Sequence, residues 1–404
     1  TETRNLAEAA LQLGIQNVHI VSYPLDVLAS SGLPLKPEKS VGEYSAGISV
    51  DRPAPVGDYK VLDGRLGAAI SGHLINLLAQ LPGKSAVMDL YLVPHGQMVM
   101  QAVASACRSG IADAPITIGE AVGSDITNVV SNALATGQSG TAALVIQNYL
   151  DHDQPVAVSA FTRELIIASG VKVDNALGTN FTHELSERVR VSYPAIDTLA
   201  YLSPTISEAE QTAILSRRGL VRDGYILFLS RLTKAKGVED LIHAYRASDL
   251  CRRMPLVICG SGPDEAYFRG VAMNDTSILF YNDISDLDKL ALMSGCHVYC
   301  LPSKPRVEFT ETFGIAITEA MLSGGRGPVI TTRTGGIPEA TGDYCLYHKA
   351  GDVTDLMGCL NKVARMPDHA RACMSQQARK YACRFDKEKI LRNLLEESAV
   401  HTAA

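Results

Sequence analysis

Apolar positions along this chain follow two rhythms. Unbroken apolar runs of strand length occur at VHIVSYP (Val18 to Pro24), YILFLS (Tyr225 to Ser230), PLVICG (Pro255 to Gly260), HVYCL (His297 to Leu301) and PVIT (Pro328 to Thr331). Helical repeats lie between them. Leu6, Ala9, Ala10 and Leu13 share one face, Gly64 to Leu81 is amphipathic, and VEDLIHAYRAS (Val238 to Ser248) has the same period. MDLYLVPHGQ reads as a strand ending at His95 and Gly96, and APITIGEAVGSDI as a strand followed by a loop from Gly119 to Asp125. QPVAVSAFTREL takes a strand into a helix at Ser159, and RVRVSYPAID (Arg188 to Asp197) reads as the last strand of the first half. Ser31 to Asp63, rich in Pro, Gly and charge with weak periodicity, reads as irregular.

Strands and helices alternate from Tyr225 to Tyr347, the pattern of a parallel sheet covered on both faces, and the chain beyond Asp352 is helical throughout. A length of 404 residues suits two domains, each able to bury its own core. The expected division is 1–197, 198–375, and a terminal segment 376–404 whose helix FDKEKILRNLLEESAV returns to the first domain. With both halves α/β, the expected whole is two facing doubly wound domains with a site in the cleft.

Composition narrows the function classes. No apolar run reaches the roughly 20 residues of a membrane helix, and no secretory signal is evident, so a soluble cytoplasmic protein is expected. Nine cysteines lack paired metal-ligand spacing and read as reduced core thiols. Residues 1–200 hold 12 Lys+Arg against 19 Asp+Glu, which disfavours nucleic acid and anionic lipid and favours a neutral or cationic acceptor. Asp151-His152-Asp153 has the spacing of a DxD metal signature, but its place before a strand reads as a solvated turn, and no metal is expected.

The stretch with most chemical content is PSKPRVEFTETFGIAITEA (Pro302 to Ala320). It joins a buried strand to a helix at the strand's carboxyl end, where open α/β sheets bind ligands and where helix N–H groups favour an anion. Gly314 permits close backbone approach. Were the segment one continuous helix, Glu311 and Glu319 would lie roughly 12 Å apart, about the span of a sugar joined through a diphosphate to a ribose. Each carboxylate is a suitable acceptor for vicinal hydroxyls.

Three further loops end strands of the same half: Arg231 and Lys236 in SRLTKAKG, the turn Gly260-Ser261-Gly262-Pro263, and TRTGGIPEA. Taken with ETFG and Glu319, these motifs resemble, in order, the retaining nucleotide-sugar glycosyltransferases of family 4, which have the GT-B fold. The resemblance implies that Arg231 and Lys236 neutralise the donor diphosphate, that Glu319 holds the ribose, and that Glu311 faces the transferred sugar. The backbone of Thr312, Phe313 and Gly314 would line sugar and phosphates, with Gly260 and Gly262 at the donor site. It implies a metal-independent hexosyltransferase with no cofactor, using a nucleoside diphosphate sugar (a UDP-sugar favoured) and a small or saccharide-like hydroxyl acceptor.

Two departures matter. The family's usual strand and glycine pair before a segment like TETRNLAEA are absent, so the chain is expected to begin inside a longer protein. Where many members carry a loop histidine, this sequence has Ala121 and Val122. The acceptor-side candidates are then His95, Glu120, Ser124 and Asp125. Another GT-B enzyme, an epimerase or a phosphorylase, and a non-catalytic nucleotide-sugar binding subunit stay open as alternatives.

Overall fold

The computed structural model describes residues 2–31, 43–57, 64–81, 83–203, 206–273, 275–306, 309–325 and 327–401. The chain forms two compact units, Thr1–Ala195 with Lys387–Ala404, and Ile196–Asp386.

The first unit runs α1 (Glu2–Gln12), β1 (Val18–Val21), α2 (Leu25–Ser30), β2 (Ile48–Asp51), α3 (Gly64–Gln80), β3 (Ala86–Leu90), α4 (Leu92–Arg108), β4 (Ile116–Ala121) and α5 (Ser124–Ala135). It continues with α6 (Ser139–Leu150), β5 (Gln154–Ala157), α7 (Ala160–Leu177), α8 (Phe181–Arg188) and the two-residue β6 (Arg190–Val191). β3-β4-β5-β6 form one parallel sheet, and β1-β2 pair separately, also parallel, with Val18 opposite Ile48. The stretch read as irregular therefore holds a strand, β2; residues 32–42 and 58–63 of it lie outside the described residues. α7 starts where expected, the Ser159 hydroxyl accepting the Thr162 N–H as an N-cap.

Two expected boundaries move. β3 stops at Leu90, because Tyr91 turns left-handed at φ 63° and α4 begins at Leu92. Val93 keeps an extended backbone inside α4, as a residue before proline prefers, and His95 sits in the helix's opening turn, not at a strand end. β4 runs on to Ala121 and α5 begins at Ser124, so the expected loop shrinks to Val122 and Gly123.

The second unit runs α9 (Leu199–Leu202), α10 (Glu208–Arg217), β7 (Ile226–Leu229), α11 (Val238–Ala247), β8 (Leu256–Cys259), α12 (Glu265–Ala272), β9 (Ile278–Tyr281), α13 (Asp286–Gly295) and β10 (Val298–Leu301). It continues with α14 (Ile315–Ser323), β11 (Val329–Thr332), α15 (Ile337–Thr341), β12 (Leu346–His348), α16 (Val353–Arg365) and α17 (Asp368–Ala382). Its strands form one parallel sheet in the order β12-β11-β10-β7-β8-β9. The order reverses between β7 and β10, and the loops leaving those two strands flank the switch point, where doubly wound sheets place ligands. β8, β10 and β11 are buried at every position, the continuous apolar signature of a sheet covered on both faces. α14 is buried from Ile317 to Ser323 without a break, so it is a central helix and not an amphipathic surface one.

The chain leaves the second unit at Asp386, and α18 (Lys387–His401) packs within the first, against α1. Ile390, Leu391 and Leu394 share a core with Leu6, Ala9, Ile118 and Val156. Truncating Leu394 to Ala leaves a cavity that should cost about 2–5 kcal/mol. Urea unfolding of the full chain measures this, and an unchanged midpoint would show that the terminal helix does not stabilise the first unit.

Candidate active site at the carboxyl edge of the second sheet

The loop after β7 makes a short 3-10 turn at Lys234–Lys236 and leaves through Gly237 at φ 70°. The loop after β10 returns to it. Lys236 Nζ forms an ion pair with Glu311 Oε2, with the side chains 8% and 12% exposed, and the Ser303 hydroxyl lies 3.4 Å from the same oxygen. The Lys236 ammonium also sits 4.8 Å from the centroid of the Phe309 ring. A second link runs alongside, the Lys304 N–H donating to the Ala235 carbonyl while its ammonium reaches both carboxylate oxygens of Asp240 at 2.8 and 2.7 Å.

Glycines let the remaining loops close on this pair. A Cβ at Gly335 or Gly336 would overlap the carbonyl oxygens of Glu311 and Thr312, respectively, and the Gly336 N–H donates to the Glu311 carbonyl at 2.9 Å. Gly260 and Gly262 lie in the same way against the carbonyls of Ser230 and Leu232, so the room they leave is filled by the neighbouring loop's backbone. Gly314, at φ 107°, caps α14, and Phe313 is buried with its ring edge-on to Phe385 at 5.0 Å.

Of the sequence-predicted donor residues, the structure pairs Lys236 with Glu311 and places Thr312, Phe313 and Gly314 directly after them at the mouth of α14. The Ile317 N–H donates to the Gly314 carbonyl at 3.0 Å, and the N–H groups that open a helix before it face out of its end, which favours an anion. Arg231 is exposed, and its guanidinium meets no acceptor among the described residues. Glu319 lies on α14, past the loop, and its carboxylate pairs with Lys289 Nζ of α13 at 2.5 Å. Lys289 went unnoticed in the sequence, because a lysine in an ordinary amphipathic helix gives no sign of a partner 30 residues on.

The acceptor-side candidates belong to the first unit. His95 Nδ1 lies 3.0 Å from the Leu90 carbonyl, with the ring 5.3 Å from that of Tyr23, and Ser124 is exposed. Glu120 and Asp125 are buried. Asp125 collects the N–H groups of Gly123 at 2.9 Å, Leu92 at 3.3 Å and Val122 at 3.4 Å, which fixes the starts of α4 and α5. Burial pushes the Glu120 carboxyl well above the usual range, and the charges of Glu2 and Asp125 push it further. Asp89 is pushed up to about 7, by burial and then by Asp125. Asp151 and Asp153 are exposed in a turn, as read from the sequence, but His152 between them is fully buried. Its ring would lie 2.8 Å from a Cβ at Gly119, and its Nε2 is 3.8 Å from Asp89 Oδ2. Asp153 accepts from the Thr117 N–H and hydroxyl, each at 2.8 Å. Among the described residues, no group of three or more His, Cys, Asp or Glu is arranged to hold a metal ion.

Two outcomes follow from this packing. Gly336→Ala drives a methyl into the Thr312 carbonyl and should destabilise the chain by about 1–3 kcal/mol, and a variant crystal structure should show the ETFG loop displaced. An unmoved loop with parental stability would mean the close approach is not a constraint. Asp89 has its folded value above its unfolded one, so its ionisation costs stability; the penalty is absent below about pH 4, grows as pH rises and is complete above about pH 7. The stability of Asp89→Asn relative to the parent should therefore improve between pH 5 and pH 8 by on the order of 1–3 kcal/mol in urea unfolding. Parallel pH profiles would show that Asp89 is not buried as an acid.

Residues 216–381 match the family described as glycosyl transferases group 1. The D-inositol 3-phosphate glycosyltransferase of Salinispora arenicola is 26% identical over 226 residues, covering 52% of this chain and 49% of that protein. The D-rhamnosyltransferase WbpZ of Pseudomonas aeruginosa is 28% identical over 151 residues, 37% of this chain and 36% of that one. The chain thus spans half or less of the length of these curated relatives. The Anabaena protein HepE, crystallised with UDP and glucose, superposes with a TM-score of 0.67 at 15% identity, over 98% of this chain and 95% of its own. No helix among the described residues is long and apolar enough to cross a membrane. Residues 216–381, most of the second unit, are thus similar to the group 1 glycosyltransferases, and the fold is GT-B.

Proposed function

We propose that this protein is a retaining, metal-independent hexosyltransferase of the cytoplasm. It moves a sugar from a nucleoside diphosphate sugar, with UDP favoured, to a soluble hydroxyl acceptor. The observation that carries the reading is the meeting of Lys236 with Glu311 beside the opening amides of α14. A cation, a carboxylate and free N–H groups at a sheet's switch point suit a ligand that is part diphosphate and part polyol.

Under this reading Arg231 and Lys236 face the diphosphate, Glu311 the sugar and Glu319 the ribose, with Thr312, Phe313 and Gly314 between. The bond from the anomeric carbon to the diphosphate oxygen breaks and leaves its electron pair on the diphosphate. The acceptor oxygen bonds to that carbon and gives up its proton, for which the departing diphosphate is a base. Fixed cations and N–H groups stabilise the added negative charge, so the scheme uses no metal or cofactor. The complex of HepE with UDP and glucose supports the choice of uridine. The acidic first unit, with His95 and Ser124 as its more accessible polar candidates, favours a neutral saccharide-like acceptor over nucleic acid.

Melting of the full chain with UDP, GDP, ADP and their sugars tests the donor, since a ligand at 100 times its Kd adds about 2.7 kcal/mol. Transfer should survive EDTA. Arg231→Ala and Lys236→Ala should each cost about 2–4 kcal/mol in kcat/KM. Glu311→Gln should lower kcat more than it raises the donor KM, and Glu319→Gln should act mainly on KM. Near-normal kinetics in all four variants, or activity that EDTA abolishes and manganese restores, would sink the scheme.

A further inference from the structure

Three elements distant in sequence converge on the Glu319 carboxylate. Lys289 on α13 places Nζ 2.5 Å from Glu319 Oε1, and its ammonium lies 5.8 Å from the centroid of the Tyr201 ring on α9. Tyr201 is buried, and its phenol is held protonated first by that burial, then by the charge of Glu319 and a hydrogen bond to it, with Asp286 and Asp197 adding their charges. The Glu319 side chain is only 8% exposed. A carboxylate so placed is stable as an anion only with a cation and hydrogen-bond donors close by. A carboxylate accepts along about four directions; the ammonium fills one and the Tyr201 phenol lies near another, so at least two remain for a ligand. Two open directions on one carboxylate match a pair of vicinal hydroxyls.

We infer that Lys289 is a positioning residue of the donor site, which together with Tyr201 neutralises and aims Glu319 so that its remaining lone pairs accept both hydroxyls of a ribose. The inference rests on the reading of Glu319 as the ribose acceptor. It makes the site selective for ribonucleoside diphosphates over their dideoxy counterparts. If Lys289 only joined α13 to α14, its loss would change stability and leave that selectivity alone.

Calorimetric titration of the full chain with UDP, GDP and ADP and with their 2′,3′-dideoxy forms reads the selectivity directly. The parent should prefer the ribo form by about tenfold or more, since hydrogen bonds to a charged group are stronger than those between neutral groups. Lys289→Met should lose most of that preference at pH 6.5 and regain part of it at pH 8.5. Removing the ammonium favours the protonated carboxyl, and rising pH reverses that. Lys289→Arg should keep the preference, and Glu319→Gln should lack it at both pH values. Tyr201→Phe, which keeps the ion pair, should show a smaller loss and serves if the methionine variant does not fold. Parental selectivity in Lys289→Met, or in Tyr201→Phe where that variant stands in, overturns this inference while the donor site stands. A parent that binds none of the diphosphates overturns the donor reading and this inference with it; equal binding of ribo and dideoxy forms removes Glu319 as the ribose acceptor.

Discussion

The ion pair between Lys236 and Glu311 is the contact on which the carboxyl edge of the second sheet depends. Both side chains are largely withdrawn from water, and removing either would leave a buried charge uncompensated, at a cost of about 3–5 kcal/mol. The pair requires the loop after β7 to meet the loop after β10. That in turn requires β7 and β10 to be neighbours although two strands separate them in sequence, which is what the reversed strand order provides. Under the proposed donor reading, the two charges satisfy each other until a diphosphate and a sugar offer each a new partner, so the ligand exchanges one balanced arrangement for another.

Close packing of backbone on backbone sustains that meeting. Gly237 lies against the Pro302 carbonyl, Gly260 and Gly262 against Ser230 and Leu232, and Gly335 and Gly336 against Glu311 and Thr312. Side chains at these points would hold the loops apart and separate Lys236 from Glu311. The glycines thus act through the protein's own chain. Gly314 differs, since the atoms nearest to a Cβ there belong to the Ile317 side chain, the first at 3.1 Å, and not to another loop's backbone.

The second unit was largely legible in the sequence because its strands are short apolar runs and its loops carry glycines, both local signals. The first unit was less so. β2 sits in a polar, proline-rich stretch and owes its existence to pairing with β1. The start of α4 is set by Tyr91 and by an Asp125 carboxylate 33 residues away. His152 reads as a turn residue between two aspartates, yet its ring fills the space left open by Gly119 on the adjacent strand. For the site, motif residues on loops were visible, and the residues that neutralise them were not. Lys289 and Tyr201 lie on helices where any polar residue would fit the periodicity, and only the folded chain brings them to Glu319.

The two units treat buried acids in opposite ways. In the second, Glu311, Glu319 and Asp240 each meet a lysine at hydrogen-bond distance. In the first, Asp89, Glu120 and Asp125 are buried near one another; their carboxyls are all pushed upward, and burial is the largest cause each time. A lysine paired with each carboxylate offsets the cost of withdrawing both charges from water. A carboxyl raised by burial gives up its proton less readily, because no cation offsets its loss of water. The cations that the proposed reading assigns to a diphosphate therefore gather at the carboxyl edge of the second sheet, whereas in the first unit backbone N–H groups meet Asp125 and burial is the largest influence on all three acids.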